Sequence, residues 1–375
     1  MTDPVDLLRQ LILIPSVNPR DRAEPAETPL AEFVRDWARA QGFPAELHEV
    51  IDGRHNVVVT VPGADAGRAV LLETHLDTVE LPVGVVTPEV TVDEATVRGR
   101  GACDAKGPLA CFMAAISEFR VSPPPVTIRL AAVIDEEHHY KGVTGLLADG
   151  SLGGEDYVGA IVGEPTDTRV VAAHMGVIRC RIHASTRGGH SSLGHLQPNA
   201  VVAVSEAILA LHRNADAILN ASTNPLLSRG SLAVTRIEGG EGDNVIPAHC
   251  AAVVDRRLAP GETPEEALGS MRAILSRDCP GVTIDEPFTL DIALDTDPAS
   301  TWVRRSTSAL TGPPHPADPV GAGWGSDASK IAAAGIGCIV WGPGSIAVAH
   351  TDQEHIPVAQ LSWATDRLAE FLRDL

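Results

Sequence analysis

The segment Ala69-Val-Leu-Leu-Glu-Thr-His-Leu-Asp-Thr-Val79 decides how this chain is read. Ala69 to Leu72 is an apolar run, and with Glu73 and Thr74 it has the length of a buried strand. It leads into His75, and Asp77 follows two residues later. In an open α/β sheet the ligand crevice lies beyond the carboxyl ends of the strands, so a charged pair just past an apolar run falls where function is expected. The pattern recurs outward along the chain: Asp104 in Gly101-Ala-Cys-Asp-Ala-Lys-Gly107, Glu136-Glu137 in Ala132-Val-Ile-Asp-Glu-Glu-His138, Glu164 in Gly163-Glu-Pro-Thr166, and His350 in Ala349-His-Thr-Asp352. Carboxylates and imidazoles gathered in one crevice are costly unless a cation neutralises them. Two zinc ions sharing one carboxylate would do so and would also supply a hydrolytic nucleophile.

The elements around these residues follow from periodicity and caps. A helix begins at Pro4, capped by Asp3, and ends near Pro15; a second runs from Thr28 to a stop at Gly42. Strands are expected at 56–61, 69–74, 126–134 and 157–162, with a helix at 108–119. This alternation predicts an α/β fold, a mostly parallel sheet with helices on both faces. The pattern changes near residue 174. Alternating residues at 176–185, helices at 198–212 and 264–277, and strands at 232–237 and 249–255 read as an inserted α+β domain. From about 291 the α/β character returns, with a helix at 301–309, a strand at 337–341 and an amphipathic helix at 358–372. The expected organisation is a discontinuous catalytic domain, 1–173 and 291–375, with 174–290 as the insert.

The chain of 375 residues carries 44% hydrophobic, 21% charged and only 3% aromatic residues, so its cores rest on Val, Leu, Ile and Ala. A formal net charge of −20 argues against nucleic acid or an anionic membrane as partner. Six cysteines without C-x-x-C spacing read as free thiols of a reducing compartment. No signal peptide and no bilayer-length apolar run is visible, which makes a cytoplasmic location the expectation.

The individual residues carry different weight. Asp77 is well placed to fix the tautomer of a metal-binding His75, although a strand-end His beside an unrelated turn Asp reads equally well. Asp104 between glycines suits a bridging ligand, and as an isolated residue it reads as a helix cap. Glu136 and Glu137 are adjacent carboxylates that repel; one bound to metal and one free resolves the conflict, and the free one can carry protons.

Taken together, these motifs resemble the dinuclear zinc metallopeptidase and deacylase family that includes acetylornithine deacetylase, succinyl-diaminopimelate desuccinylase, aminoacylase and the glutamate-releasing carboxypeptidases. The resemblance spans nearly the whole chain. It implies that His75, Asp104 and Glu164 hold one zinc and that Asp104, Glu137 and His350 hold the other, with Co2+ or Mn2+ as substitutes. It also implies that Glu136 is the general base and acid, that Asp77 orients His75, and that the Asp104–Ala105 peptide is cis. In the insert, Arg187-Gly-Gly-His-Ser-Ser192 resembles the segment whose histidine steadies an oxyanion, typically in the partner subunit, which points to His190. Asn244 in Gly242-Asp-Asn-Val-Ile-Pro247, Arg257 in Asp255-Arg-Arg257 and Ser326 in Gly325-Ser-Asp327 correspond to substrate contacts, Arg257 gripping a carboxylate. The implied activity is deacylation of an N-acyl amino acid, with a dipeptidase or carboxypeptidase as the alternative. The implied assembly is a homodimer formed through the insert as lid. Two features separate the chain from parts of the family. Met175-Gly176 stands where many relatives carry Lys-Gly, and Glu rather than Asp at 164 leans toward deacylation.

Overall fold

A computed structural model describes residues 2–20, 24 and 26–375. The chain divides into two compact units: residues 1–172, 296–320 and 326–375 form the first, and residues 173–295 and 321–325 the second. The sequence reading put the boundaries one and five residues away, after 173 and before 291, and did not anticipate the return of 321–325.

The first unit is built on a mixed sheet. Its central strands, Val126–Val133, Asp65–His75, Asp156–Val162 and Cys338–Val340, are neighbours in that order and run parallel. Arg54–Val61 joins Val126–Val133 antiparallel, and Ala45–Ile51 joins Arg54–Val61 antiparallel. On the other side, Val171 pairs antiparallel with Val340. The parallel strands are buried on both sides, which is why they read as continuous apolar runs: Ala69 to His75 is buried throughout. Every residue of the helix Lys106–Ile116 is buried. The helices Pro4–Leu13 and Val358–Arg373 pack on it, with Leu8, Leu11, Ile12, Leu361 and Leu368 fully enclosed. Asp3 caps the first helix through Val5 N–H, as its sequence predicts. The helix Lys141–Ala148 is not among the predicted elements; it has no side-chain cap and contains two glycines. Gly142 is required there, because a Cβ would collide with the Ile134 carbonyl.

The second unit is an antiparallel sheet in the order Ser231–Gly239, His249–Leu258, Gly176–Ser185, with the short strands Thr283–Ile284 and Thr289–Asp291 completing it. Ile178, Cys180, Ile182 and Ala184 turn one way and pack with Cys250, Ala252 and Val254 against Val204, Ala207, Leu211, Met271 and Leu275. Those last residues belong to the helices Ala200–Arg213 and Pro264–Asp278, capped by Asn199 and by a Thr263–Glu266 capping box. Among the described residues no helix is long and apolar enough to cross a membrane, and all six cysteines are free and buried.

Candidate dinuclear metal centre

Parallel pairing brings the carboxyl ends of the central strands side by side, and the charged residues collect there. His75 closes the strand Asp65–His75; Glu136 and Glu137 follow Val126–Val133; Glu164 follows Asp156–Val162; His350 follows Cys338–Val340 in a left-handed backbone conformation, φ 60°. Asp104 arrives from the loop before the helix Lys106–Ile116, and the Asp104–Ala105 peptide is cis.

The side chains form two triads joined at Asp104. His75 Nε2 lies 3.0 Å from Asp104 Oδ1 and 3.8 Å from Glu164 Oε1. His350 Nε2 lies 3.1 Å from Asp104 Oδ2 and 2.9 Å from Glu137 Oε1. Within each triad, His75–Asp104–Glu164 and Asp104–Glu137–His350, the donor atoms lie within 4.8 Å of one another. Each triad joins one imidazole nitrogen to two carboxylate oxygens, a donor set suited to zinc, cobalt or manganese. Asp104 presents one oxygen to each side. The electrostatics agree: four carboxylates, Asp104, Glu136, Glu137 and Glu164, surround two imidazoles. Burial, reinforced by neighbouring negative charge, pushes Glu136 and Glu164 well above the usual carboxylate range. The carboxylates outnumber the imidazoles, and the residues fit a pair of divalent ions.

Residues 71–374 match the model of peptidase family M20/M25/M40. The chain belongs to this family. It is 31% identical to a probable carboxypeptidase of Aspergillus terreus, over 95% of this chain and 82% of that one. It is 30% identical to the acetylornithine deacetylase of Myxococcus xanthus, over 89% of this chain and 88% of that one. A solved tripeptidase from Staphylococcus aureus subsp. aureus Mu50 shares the fold, with a TM-score of 0.80 at 16% identity over 99% of this chain and 97% of that one. The protein is a metal-dependent hydrolase of amide bonds, and its two triads are candidate ligand groups for the metal.

The M20 site has a supporting layer. His75 Nδ1 donates to the backbone carbonyl of Asp77 at 2.9 Å, and the Asp77 carboxylate lies further off, at 3.5 Å. That carboxylate accepts from Asn18 Nδ2 at 2.7 Å, from Glu136 N–H at 3.2 Å and from Glu137 N–H at 3.0 Å. Asp77 therefore holds the Glu136–Glu137 backbone as well as the imidazole. Burial alone would pull the His75 pKa down, but hydrogen bonds to Asp104 and Asp77 and the charge of Glu164 push it well up. Burial alone would raise Asp104; hydrogen bonds from His350 and His75 hold it well below the usual range instead. His350 is pushed up to about 10, first by its hydrogen bond to Asp104 and then by that to Glu137.

The remaining sequence candidates lie elsewhere. His190 and Asn244 are exposed neighbours in the second unit, on a two-residue antiparallel pairing of Gly189–His190 with Val245–Ile246. Gly188 makes the approach possible with φ 60° and no Cβ to meet the Ile246 carbonyl. His190 Nδ1 lies 2.8 Å from Ser192 Oγ and 3.3 Å from Ser192 N; the tautomer in which Nδ1 accepts carries its proton on Nε2. Arg257 donates to both oxygens of Asp255, at 2.8 and 3.3 Å, and Arg179 Nε donates to the same carboxylate at 2.8 Å. Two guanidinium groups on one carboxylate leave a surplus positive charge. Ser326 belongs to the first unit, as the sequence reading of 291–375 has it, and is 0% exposed; its hydroxyl accepts Ala328 N–H at 3.3 Å. Its side chain is committed to a helix start and presents no surface to a substrate.

Sequence reasoning missed Asn18, Lys106 and Glu354, all buried in the first unit. Lys106 Nζ donates to the Ile14 carbonyl at 2.8 Å, and burial draws its pKa down to about 7 against the opposing charge of Glu354. A lysine in Asp104-Ala-Lys-Gly107, inside an otherwise apolar helix, was the available signal.

Proposed function

We propose that this M20 hydrolase removes the acyl group from an N-acyl amino acid, using two zinc ions held by His75, Asp104, Glu137, Glu164 and His350. The observation that carries the reading is the pair of donor triads meeting at Asp104 beside Glu136, a carboxylate left outside both. Zinc ions bound there would polarise the scissile carbonyl and lower the pKa of a water toward neutrality. Glu136 takes the proton of the attacking water and passes it to the leaving amine, a role open to it because it lies outside both donor triads. Asp77 holds the Glu136 backbone while the proton moves. His190 Nε2–H, from the partner subunit of a homodimer formed through the second unit, steadies the developing oxyanion. Arg257 and Asn244 bind the amino-acid end, Arg257 taking the carboxylate with charge to spare after Asp255. A small acylated amino acid in the cytoplasm is the substrate this arrangement suits.

Glu at position 164 and the similarity to the Myxococcus xanthus acetylornithine deacetylase favour deacylation. The similarity to the Aspergillus terreus protein keeps carboxypeptidase action as a second reading. Release of free amine from N-acetyl, N-succinyl and N-formyl amino acids and from plain dipeptides, with zinc and with chelator, separates the two. Chelator-sensitive turnover of acylated compounds is expected; turnover of dipeptides alone would transfer the protein to the peptidase reading.

A further inference from the structure

Glu354 lies four residues beyond His350 and is 4% exposed. Its Oε1 accepts the backbone N–H of Cys103 at 3.1 Å and of Asp104 at 3.2 Å. Its Oε2 receives Arg100 Nη1 at 2.6 Å. Arg100, itself 8% exposed, also donates to the Thr351 carbonyl at 3.3 Å and to the Glu80 carbonyl at 2.9 Å. The Glu354 carbonyl accepts Gly99 N–H at 3.2 Å, and His355 then pairs with Arg98 as an antiparallel strand begins. One buried carboxylate thus clamps the segment that carries Asp104 to the segment that carries His350.

The clamp matters because Asp104 serves both triads. Turning its carboxylate toward His75 moves it away from His350, so its Cα has to be held to within a few tenths of an ångström. The two N–H groups fixed by Glu354 are those of Asp104 and of the residue before it. The loop fixed at the other end is that of His350. His75 and Glu164 sit at strand ends and do not depend on this contact. A carboxylate buried to this degree is costly unless it is paired and fully hydrogen-bonded, and Arg100 with the two N–H groups meets that condition.

We propose that Glu354 is a positioning residue that sets Asp104 against His350 and so shapes the Asp104–Glu137–His350 half of the metal centre. The proposal rests on the two triads holding metal, and the test separates the two ideas. Metal-free full-length protein is titrated with cobalt(II), following heat and visible absorption, for the wild type, Glu354→Ala and Glu354→Gln, with circular dichroism to establish folding. The wild type should bind two equivalents; fewer than two would defeat the metal reading itself. Glu354→Ala should weaken the second equivalent by about 100-fold and alter its absorption band, with the first much less affected. Glu354→Gln keeps one acceptor oxygen for the two N–H groups but sets an amide donor against Arg100, so a loss of about tenfold is expected. Wild-type affinity for both equivalents in either folded variant would overturn the proposal. So would equal weakening of both with an unchanged spectrum, the pattern of a generally loosened fold. If Glu354→Ala does not fold, Glu354→Gln decides alone on the same criteria.

Discussion

Asp77→Asn is a small change with a calculable cost. The carboxylate meets three donors: Glu136 N–H at Oδ1, and Asn18 Nδ2 and Glu137 N–H at Oδ2. An amide has one acceptor oxygen and one NH2, so at best it keeps the two donors at Oδ2 and sets a donor against Glu136 N–H. A hydrogen bond to a charged acceptor contributes roughly 1.5–3 kcal/mol, so losing one and leaving its buried N–H unpaired costs about 2–3 kcal/mol. The remaining two bonds also lose their charge assistance. The damage falls on Glu136, the base, before it falls on the ligand Glu137. Metal affinity should drop about 10- to 100-fold. Turnover at saturating metal should drop further still. Competition against a chelator of known affinity measures the first, and initial rates on a metal-saturated sample measure the second. Asp77→Asn that binds both ions like the wild type and turns over normally would refute the reasoning.

Glu136→Gln should leave metal binding intact and cut turnover by about 10²- to 10⁴-fold; residual activity near wild type would remove Glu136 from proton transfer. Metal uptake should release protons, since His350 titrates at about 10 in the metal-free protein and His75 is also raised. Calorimetry in buffers of different ionisation enthalpy counts these protons, and apparent affinity should climb with pH up to about 10. The same shift fixes a stability window for the metal-free protein. The His350 contribution is fully present below its unfolded pKa, near 6.5, and is lost as pH rises through about 10. A melting temperature that rises across that interval in the wild type but not in His350→Ala would contradict it. Arg54→Met should cost about 3–5 kcal/mol in urea unfolding, because Arg54 pairs with Glu27 and Asp135, both of which it would leave buried without a cation.

The strand Asp65–His75 was legible because burial on both faces leaves the apolar run Ala69 to Leu72, which gives way to Glu73, Thr74 and His75. Gly176–Ser185 was legible for the opposite reason, one face buried and one wet. Asp104, Glu137, Glu164 and His350 could be picked out by their places beside such runs or between glycines, and their roles by resemblance. Lys141–Ala148 escaped, since its two glycines and missing cap give no local helix signal; it forms because neighbouring strands accept it.

Local periodicity thus determined most of the long strands and helices and the residues at their ends, while the strand Ala45–Ile51 was not among the predicted elements. Tertiary structure alone decided which of those ends meet, and it placed the supporting groups. Arg100 and Glu354 are 254 residues apart, Asn18 and Asp77 are 59 apart, and no periodic pattern links either pair. Their hydrogen bonds depend on the order in which strands assemble, a property of the whole sheet. A buried polar side chain reads in sequence as an interruption of an apolar pattern, and only its partner, brought from elsewhere in the chain, shows why burying it is tolerated.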